Sequence, residues 1–253
     1  MRVKTLLSCI GRALMGHSRI YTKEYCSFGD FDREALRCLI RKALRPGCVM
    51  LEVGSWLGTG STRVFAEELH RVGGALYCVD TWQGSANVQR HREIARRYDV
   101  LATFRHNVHG YSMEEGVYPL VGPSKEIARV IRDGALDLVF LDGDHSYGAT
   151  QADIAAWSPK LRSGGILCGH DCEARVTRGN VAQYEAFRDR DDIPAVASPF
   201  LVEHPGVILA VNEAFGGSAH LWAEKSVRLA DGRTGASSVW DVQLGPADEH
   251  PAG

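Results

Sequence analysis

Asp142, Asp144 and His145 fall within four positions in "LVFLDGDHSY", residues 138–147, directly after an apolar run. Two carboxylates and an imidazole at the end of a buried strand can hold a cation, take a proton from a hydroxyl, or do both. A second group of this kind closes "GGILCGHD", where His170 and Asp171 follow another apolar run. Glu52 in "CVMLEV" and Asp80 in "ALYCVD" extend the pattern, so four apolar segments finish on polar, chemically able side chains. An isolated acid at such a place is a helix cap or a loop residue, but the repetition argues for a site. Asp144 keeps three readings: a ligand, a group orienting His145, or a cap of the following helix.

From Phe31 onward, helix-period and short apolar segments alternate, which predicts a parallel sheet covered by helices. The strands are expected over 48–53, 75–80, 116–122, 136–142 and 164–171, and the helices over 32–44, 61–71, 87–98, 124–134 and 149–161. Pro119 pushes the third strand to an edge, because proline cannot donate to a ladder. Beyond Asp171 the rhythm weakens. Residues 172–203 read as an insertion with a helix near 181–188, and 206–216 as a helix capped by Gly216. Residues 218–229 and 237–244 read as closing strands with antiparallel pairing. A helical extension is expected over 1–30 and a frayed tail over 246–253.

In open α/β sheets, ligands sit beyond the carboxyl ends of the strands. The first such turn, "EVGSWLGTGS", carries Gly54, Gly58 and Gly60, which let the backbone pass close to a ligand. It matches neither GxGxxG nor GxxxxGK[ST], so the dinucleotide and phosphate-cradle fingerprints fail. Asp80, about one βα unit later, suits both hydroxyls of a ribose, and Trp82 suits an adenine face. A nucleoside ligand without a pyrophosphate is the simplest fit.

The totals agree with a globular domain. The chain has 253 residues, 45% hydrophobic and 24% charged, and a formal net charge of -2, which offers no strong field to nucleic acid. Seven cysteines without paired CxxC spacing point to free thiols in a reducing cytoplasm. Cys168 and Cys172 bracket "CGHDC", but the usual zinc spacings are absent. No apolar run approaches the roughly 20 residues of a membrane span. "MRVKTLLSCIGRALMGHSR" is interrupted by Gly11 and Arg12, so it reads as a docking or homodimer helix rather than a signal peptide. Trp157, Trp222 and Trp240 read as core before pocket.

The ordered set "LEVGSWLG", "VDTW", "VGPSKEI", "LVFLDGDHSY" and "GGILCGHD" resembles class I S-adenosylmethionine-dependent methyltransferases. The likeness is to the bacterial group with DGDHSY followed by GGILxGHD and, more distantly, to catechol-type metal-dependent and macrolide sugar O-methyltransferases. It spans roughly residues 31–171. It implies an α/β, Rossmann-like, doubly wound, mostly parallel seven-stranded sheet with an antiparallel C-terminal strand. The methyltransferase domain would cover 31–245, with the insertion at 172–203 as a lid. By position, Glu52 and Gly54 would border the methionine part of the cofactor, with Ser55, Trp56 and Gly58 of the same turn and Asp142 among its contacts. Asp80 would hold the ribose, and Trp82 with Ser124 would flank the adenine. His145 stands where the catechol-type pattern has its proton acceptor. Asp142, His170 and Asp171 stand where it binds a divalent ion, magnesium or manganese. His170 replaces a carboxylate there, which shifts preference toward transition metals. If no metal binds, His145 or His170 would act as base alone. The implied acceptor is a small hydroxylated molecule, with a sugar hydroxyl of a glycoside or polysaccharide ahead of a phenol. An NAD(P)-linked oxidoreductase and a non-catalytic partner of another enzyme are the remaining alternatives.

Overall fold

The computed structural model describes residues 28–85, 88–110 and 114–245. The extension expected over 1–30, apart from its last three residues, and the tail at 246–253 lie outside them.

Helix α1 (Asp30–Ala43) buries Ala35, Leu36, Leu39, Ile40 and Ala43 on one face. Its amino end is tied by Asp32, whose carboxylate accepts the Gly29 N–H at 3.1 Å, and basic residues occupy its last turn. Strand β1 (Val49–Val53) leads through the glycine turn into α2 (Ser61–Leu69). Strand β2 (Ala75–Asp80), helices α3 (Gln89–Arg97) and α4 (Val100–Gly110), and β3 (Val117–Val121) follow. Next come α5 (Ser124–Val130), β4 (Leu136–Leu141), α6 (Tyr147–Trp157) and β5 (Leu161–Gly169). The insertion holds α7 (Val181–Ala186) and a ribbon of β6 (Ile193–Pro194) with β7 (Val202–Glu203). Helix α8 (Pro205–Phe215), β8 (His220–Leu221), the ribbon of β9 (Val227–Arg228) with β10 (Thr234–Gly235), and β11 (Trp240–Gln243) complete the order.

The main sheet has seven strands in the order β3-β2-β1-β4-β5-β11-β8. Strands β3, β2, β1, β4 and β5 are mutually parallel, while β11 runs against both β5 and β8. This is the doubly wound sheet with one reversed strand that the sequence predicts. Strand β3 carries Pro119 and takes an edge, as its missing N–H requires. Strand β4 is buried along its whole length, as a central strand with helices on both faces must be. The buried Asp137 within it is answered by Arg45 (2.6 and 3.0 Å), Arg162 (2.5 Å) and the Val49 N–H (2.8 Å).

Alternate residues feed two cores. Met50, Cys78, Leu138, Phe140 and Cys168 meet α1, α2 and α4 on one face, while Leu51, Val79, Val139 and Leu167 meet α6 and α8 on the other. Trp157 and Trp240 are fully buried in the second core. Among the described residues, no helix is long and apolar enough to cross a membrane.

Two elements differ from expectation. Helix α4 is absent from the sequence reading, although Asp99 caps it by accepting the Ala102 N–H at 2.9 Å, and Val100, Thr103, Phe104 and Val108 form its buried face. The expected strand over 218–229 is not continuous. Two residues pair with β11, and the chain then turns at 222–224, where the His220 ring and the Trp222 indole both satisfy Asp241 through side chains, at 2.7 and 2.8 Å.

Candidate active site

Strand order reverses between β1 and β4, and beyond their carboxyl ends opens a cleft of about 620 Å³. Gly54, Trp56, Asp80, Ser124, Asp142, His145 and Asp171 all line it. Seven residues singled out from separate segments of the sequence therefore face one space.

The floor is a close approach of two backbones. Gly54 has φ +88°, and a Cβ there would run into the carbonyl of Asp142. Only glycine fits, so the turn after β1 sits directly on the end of β4. Asp80 ties this turn to the next one. Its two oxygens accept the Trp56 N–H at 2.8 Å and the Trp82 N–H at 2.6 Å. Both tryptophans have positive φ, 42° and 52°, a conformation that costs a non-glycine residue of the order of 1–2 kcal/mol. The carboxylate therefore holds two strained turns at the mouth of the cleft. Burial raises the Asp80 pKa against the opposing pull of these amides.

Several residues expected at the cofactor do not line the cleft. Glu52 is fully buried beneath the turn and does not line the cleft. It accepts hydroxyl hydrogen bonds from Ser55 (2.6 Å), Thr62 (2.6 Å) and Ser61, and burial pushes its pKa up to about 7. Ser55 is buried with it. Gly58 faces the Phe104 ring of α4 rather than the cleft. Trp82 is a core residue. Its ring packs on Phe104 with centroids 5.1 Å apart, and its Nε1 donates to the Trp56 carbonyl at 2.8 Å. The indole is buried and does not line the cleft.

On the cleft wall, Ser124 belongs to a chain of hydrogen bonds. Trp157 Nε1 donates to Ser124 Oγ (2.7 Å), which donates to Asp153 Oδ1 (2.6 Å). Burial raises the Asp153 pKa to about 6. Asp153 and His91, whose ring stacks on Trp56 at 4.8 Å, also line the cleft and were not anticipated. Asp153 was detectable: it shares the inward face of α6 with Thr150, Ile154 and Trp157. His91 gave no such signal.

A knot of histidines gathers around Asp171, itself in the left-handed region at φ 63°. His145 Nε2 lies 3.1 Å from Asp171 and 3.9 Å from Asp142, while its Nδ1 lies 2.9 Å from Asp191 of the insertion. His170 Nδ1 is 2.9 Å from Asp171 and 3.9 Å from Asp142. His204 Nδ1 is 2.7 Å from Glu173 and 3.5 Å from Asp171. Burial opposes charge on Asp171, but His170, His204 and His145 outweigh it and hold its pKa well below the carboxylate range. Burial likewise disfavours the charged form of His145, but Asp171 and the other carboxylates overcome it and raise its pKa well above the ordinary value. Asp144 accepts the Ser146 N–H at 2.9 Å and so shapes the turn into α6.

Asp142, His170 and Asp171 fit a divalent ion: each offers one ligand atom, all within 4.8 Å of one another. His170 is set back from the cleft, in a smaller void with Val207 and Trp240. Its Nε2 is buried without a hydrogen-bond partner among the described residues, and the nearest carboxylate, Asp32, is 3.6 Å away. Two carboxylates and one imidazole suit manganese or another transition ion better than magnesium.

Comparison with known proteins agrees with this architecture. Residues 51–172 match the family described as "Methyltransferase domain". Among solved structures, the fold is similar to the O-methyltransferase NovP (TM-score 0.53, 20% identity, 86% of this chain and 81% of that one). It is also similar to the O-methyltransferase from Bacillus cereus in complex with SAH (TM-score 0.53, 16% identity, 96% and 92%). A curated relative, the uncharacterized protein y4gI of Sinorhizobium fredii (strain NBRC 101917 / NGR234), is 32% identical over 110 residues. That match covers 44% of this chain and 11% of the relative's length. The fold is Rossmann-like, as in these solved structures, and residues 51–172 match the methyltransferase-domain family.

Proposed function

We propose that the protein is an S-adenosylmethionine-dependent O-methyltransferase that methylates a hydroxyl of a small molecule, with a divalent ion assisting. The observation that carries this reading is the single cleft in which Gly54, Asp80 and His145 converge. Asp80 is the candidate for the ribose hydroxyls, and the Ser124–Asp153 pair for the adenine end. The close-packed turn at Gly54 borders the methionine part. Ser124 and Trp56 keep their assigned places on the cleft wall, while Glu52, Ser55, Gly58 and Trp82 act by holding those walls.

S-adenosylmethionine would supply an electrophilic methyl on its sulfonium, and an ion held by Asp142, His170 and Asp171 would supply positive charge beside the acceptor oxygen. Removing the acceptor proton falls to His145. Asp191 takes its Nδ1, which leaves Nε2 as the nitrogen directed toward Asp142 and Asp171. While those carboxylates are uncompensated, His145 keeps a proton on Nε2; once their charge is answered, Nε2 is free to act as a base.

The acceptor we favour is a sugar hydroxyl of a glycoside or polysaccharide, as in natural-product biosynthesis, with a phenol as the alternative. Asp191 brings the insertion to the cleft wall beside His145, and this supports assigning residues 172–203 to acceptor recognition. Free Cys38, Cys48, Cys78, Cys168 and Cys172 are consistent with a cytoplasmic setting. Thermal melts with S-adenosylhomocysteine and with NAD test the cofactor. A ligand that binds only the folded form raises the melting temperature, so the first should raise it and the second should not. The reverse pattern would establish the oxidoreductase alternative.

A further inference from the structure

Beside the donor set of Asp142, His170 and Asp171 lies another that shares Asp171 with it and adds His204, a residue the proposed reaction does not use. His145, Asp171 and His204 each offer a ligand atom within 4.8 Å of the other two. Two imidazoles and one carboxylate make a donor set that suits zinc and its neighbours and suits magnesium poorly.

Both rings are already oriented by carboxylates outside the set. His145 Nδ1 meets Asp191 at 2.9 Å, and His204 Nδ1 meets Glu173 at 2.7 Å. Glu173 is buried, and its other oxygen accepts the His204 backbone N–H at 3.1 Å. For His145 this leaves Nε2 toward Asp171, the usual outer-shell arrangement of a metal-binding histidine, while Glu173 fixes the His204 ring beside Asp171, with Nδ1 3.5 Å from it.

The backbone also fixes the spacing of the rings. His204 immediately precedes α8, and Gly206 packs so tightly that a Cβ there would run into the His145 carbonyl, the Tyr147 amide and the Arg188 carbonyl. The start of α8 is therefore seated on the His145 turn, and the two rings meet edge to face with centroids 4.8 Å apart.

We propose that His145, Asp171 and His204 form a second cation site for a zinc-class divalent ion, and that its occupation withdraws His145 from proton transfer. Asp171 belongs to both sets, so the two ions compete for it. A carboxylate-preferring ion at Asp142 and Asp171 leaves His145 free, whereas an imidazole-preferring ion takes it as a ligand. The inhibitory consequence rests on the reading of His145 as the base; the binding itself does not.

The test uses the full chain, with Zn2+ by calorimetry, Co2+ by visible absorption and Mn2+ by paramagnetic resonance. His204→Ala should weaken Zn2+ and Co2+ by about tenfold or more and leave Mn2+ within about twofold. Asp142→Asn should do the opposite, which keeps the proposal testable if the His204 variant fails to fold. No Zn2+ uptake by the wild type, or equal loss of Zn2+ and Mn2+ in both variants, overturns it. S-adenosylhomocysteine binding, followed in the same samples, reports separately on the methyltransferase reading: its absence would sink that reading and leave the ion site standing.

Discussion

Glu52 is fully buried beneath the turn that follows β1, and its burial has a measurable effect on stability. Its pKa rises from an ordinary 4.5 to about 7 because it is fully buried, and three hydroxyl donors offset only part of that penalty. At about 1.4 kcal/mol per unit, this gap corresponds to about 3 kcal/mol of linkage. The sign follows from proton counting. Between pH 4.5 and about 7 the folded state holds a proton on Glu52 that the unfolded state has lost, so stability falls as pH rises through that window. Glu52→Gln removes the ionisation; its carbonyl oxygen can still accept from the Ser55 and Thr62 hydroxyls, while its NH2 can donate to Ser61 Oγ. Urea unfolding of both proteins at pH 4.5 and pH 8 isolates the effect, because every other titrating group cancels in the difference. The variant should gain about 3 kcal/mol on the wild type between the two pH values. An unchanged difference would refute the argument that Glu52 is a buried support rather than a solvated group at the cleft edge.

Asp80→Asn puts an amide group opposite one of the Trp56 and Trp82 N–H donors, so it should cost about 1–3 kcal/mol in urea unfolding. It should also weaken S-adenosylhomocysteine binding in calorimetry. Gly54→Ala combines a positive φ with a collision against the Asp142 carbonyl; a loss of at least about 2 kcal/mol in chemical denaturation is expected. His145→Ala should retain S-adenosylhomocysteine binding and lose methyl transfer by about 100-fold or more, measured with labelled S-adenosylmethionine and an acceptor panel. Asp137→Asn removes the buried carboxylate shared by Arg45, Arg162 and the Val49 N–H and should lower stability in the same unfolding assay.

The five parallel strands were legible because each is a short apolar run bounded by turn residues, and Pro119 even marked the edge. Helix α4 was not, because β-branched and histidine residues dilute its propensity, and its burial arises from packing Phe104 against Gly58 and Trp82. Strand ends drew attention to Asp80, Asp142, His145 and Asp171, which line one cleft. The burial of Glu52 was legible in its register: it shares parity with Met50 and so points toward α2, under Ser61 and Thr62. Trp82 depends on a backbone angle that composition does not encode. His91, Glu173, Asp191 and His204 gave no sequence signal. The last three follow Asp171, where periodicity fades and tertiary packing alone brings them to His145 and Asp171.

The central claim is that one cleft holds the sulfonium nucleoside with its reactive methyl facing His145. A crystal structure with S-adenosylhomocysteine and Mn2+ bound tests it most directly. The account predicts the ribose on Asp80, the adenine beside Ser124 and Asp153, and the sulfur facing the His145 ring. A nucleoside bound elsewhere, or a His145 ring turned away from the sulfur, would contradict it.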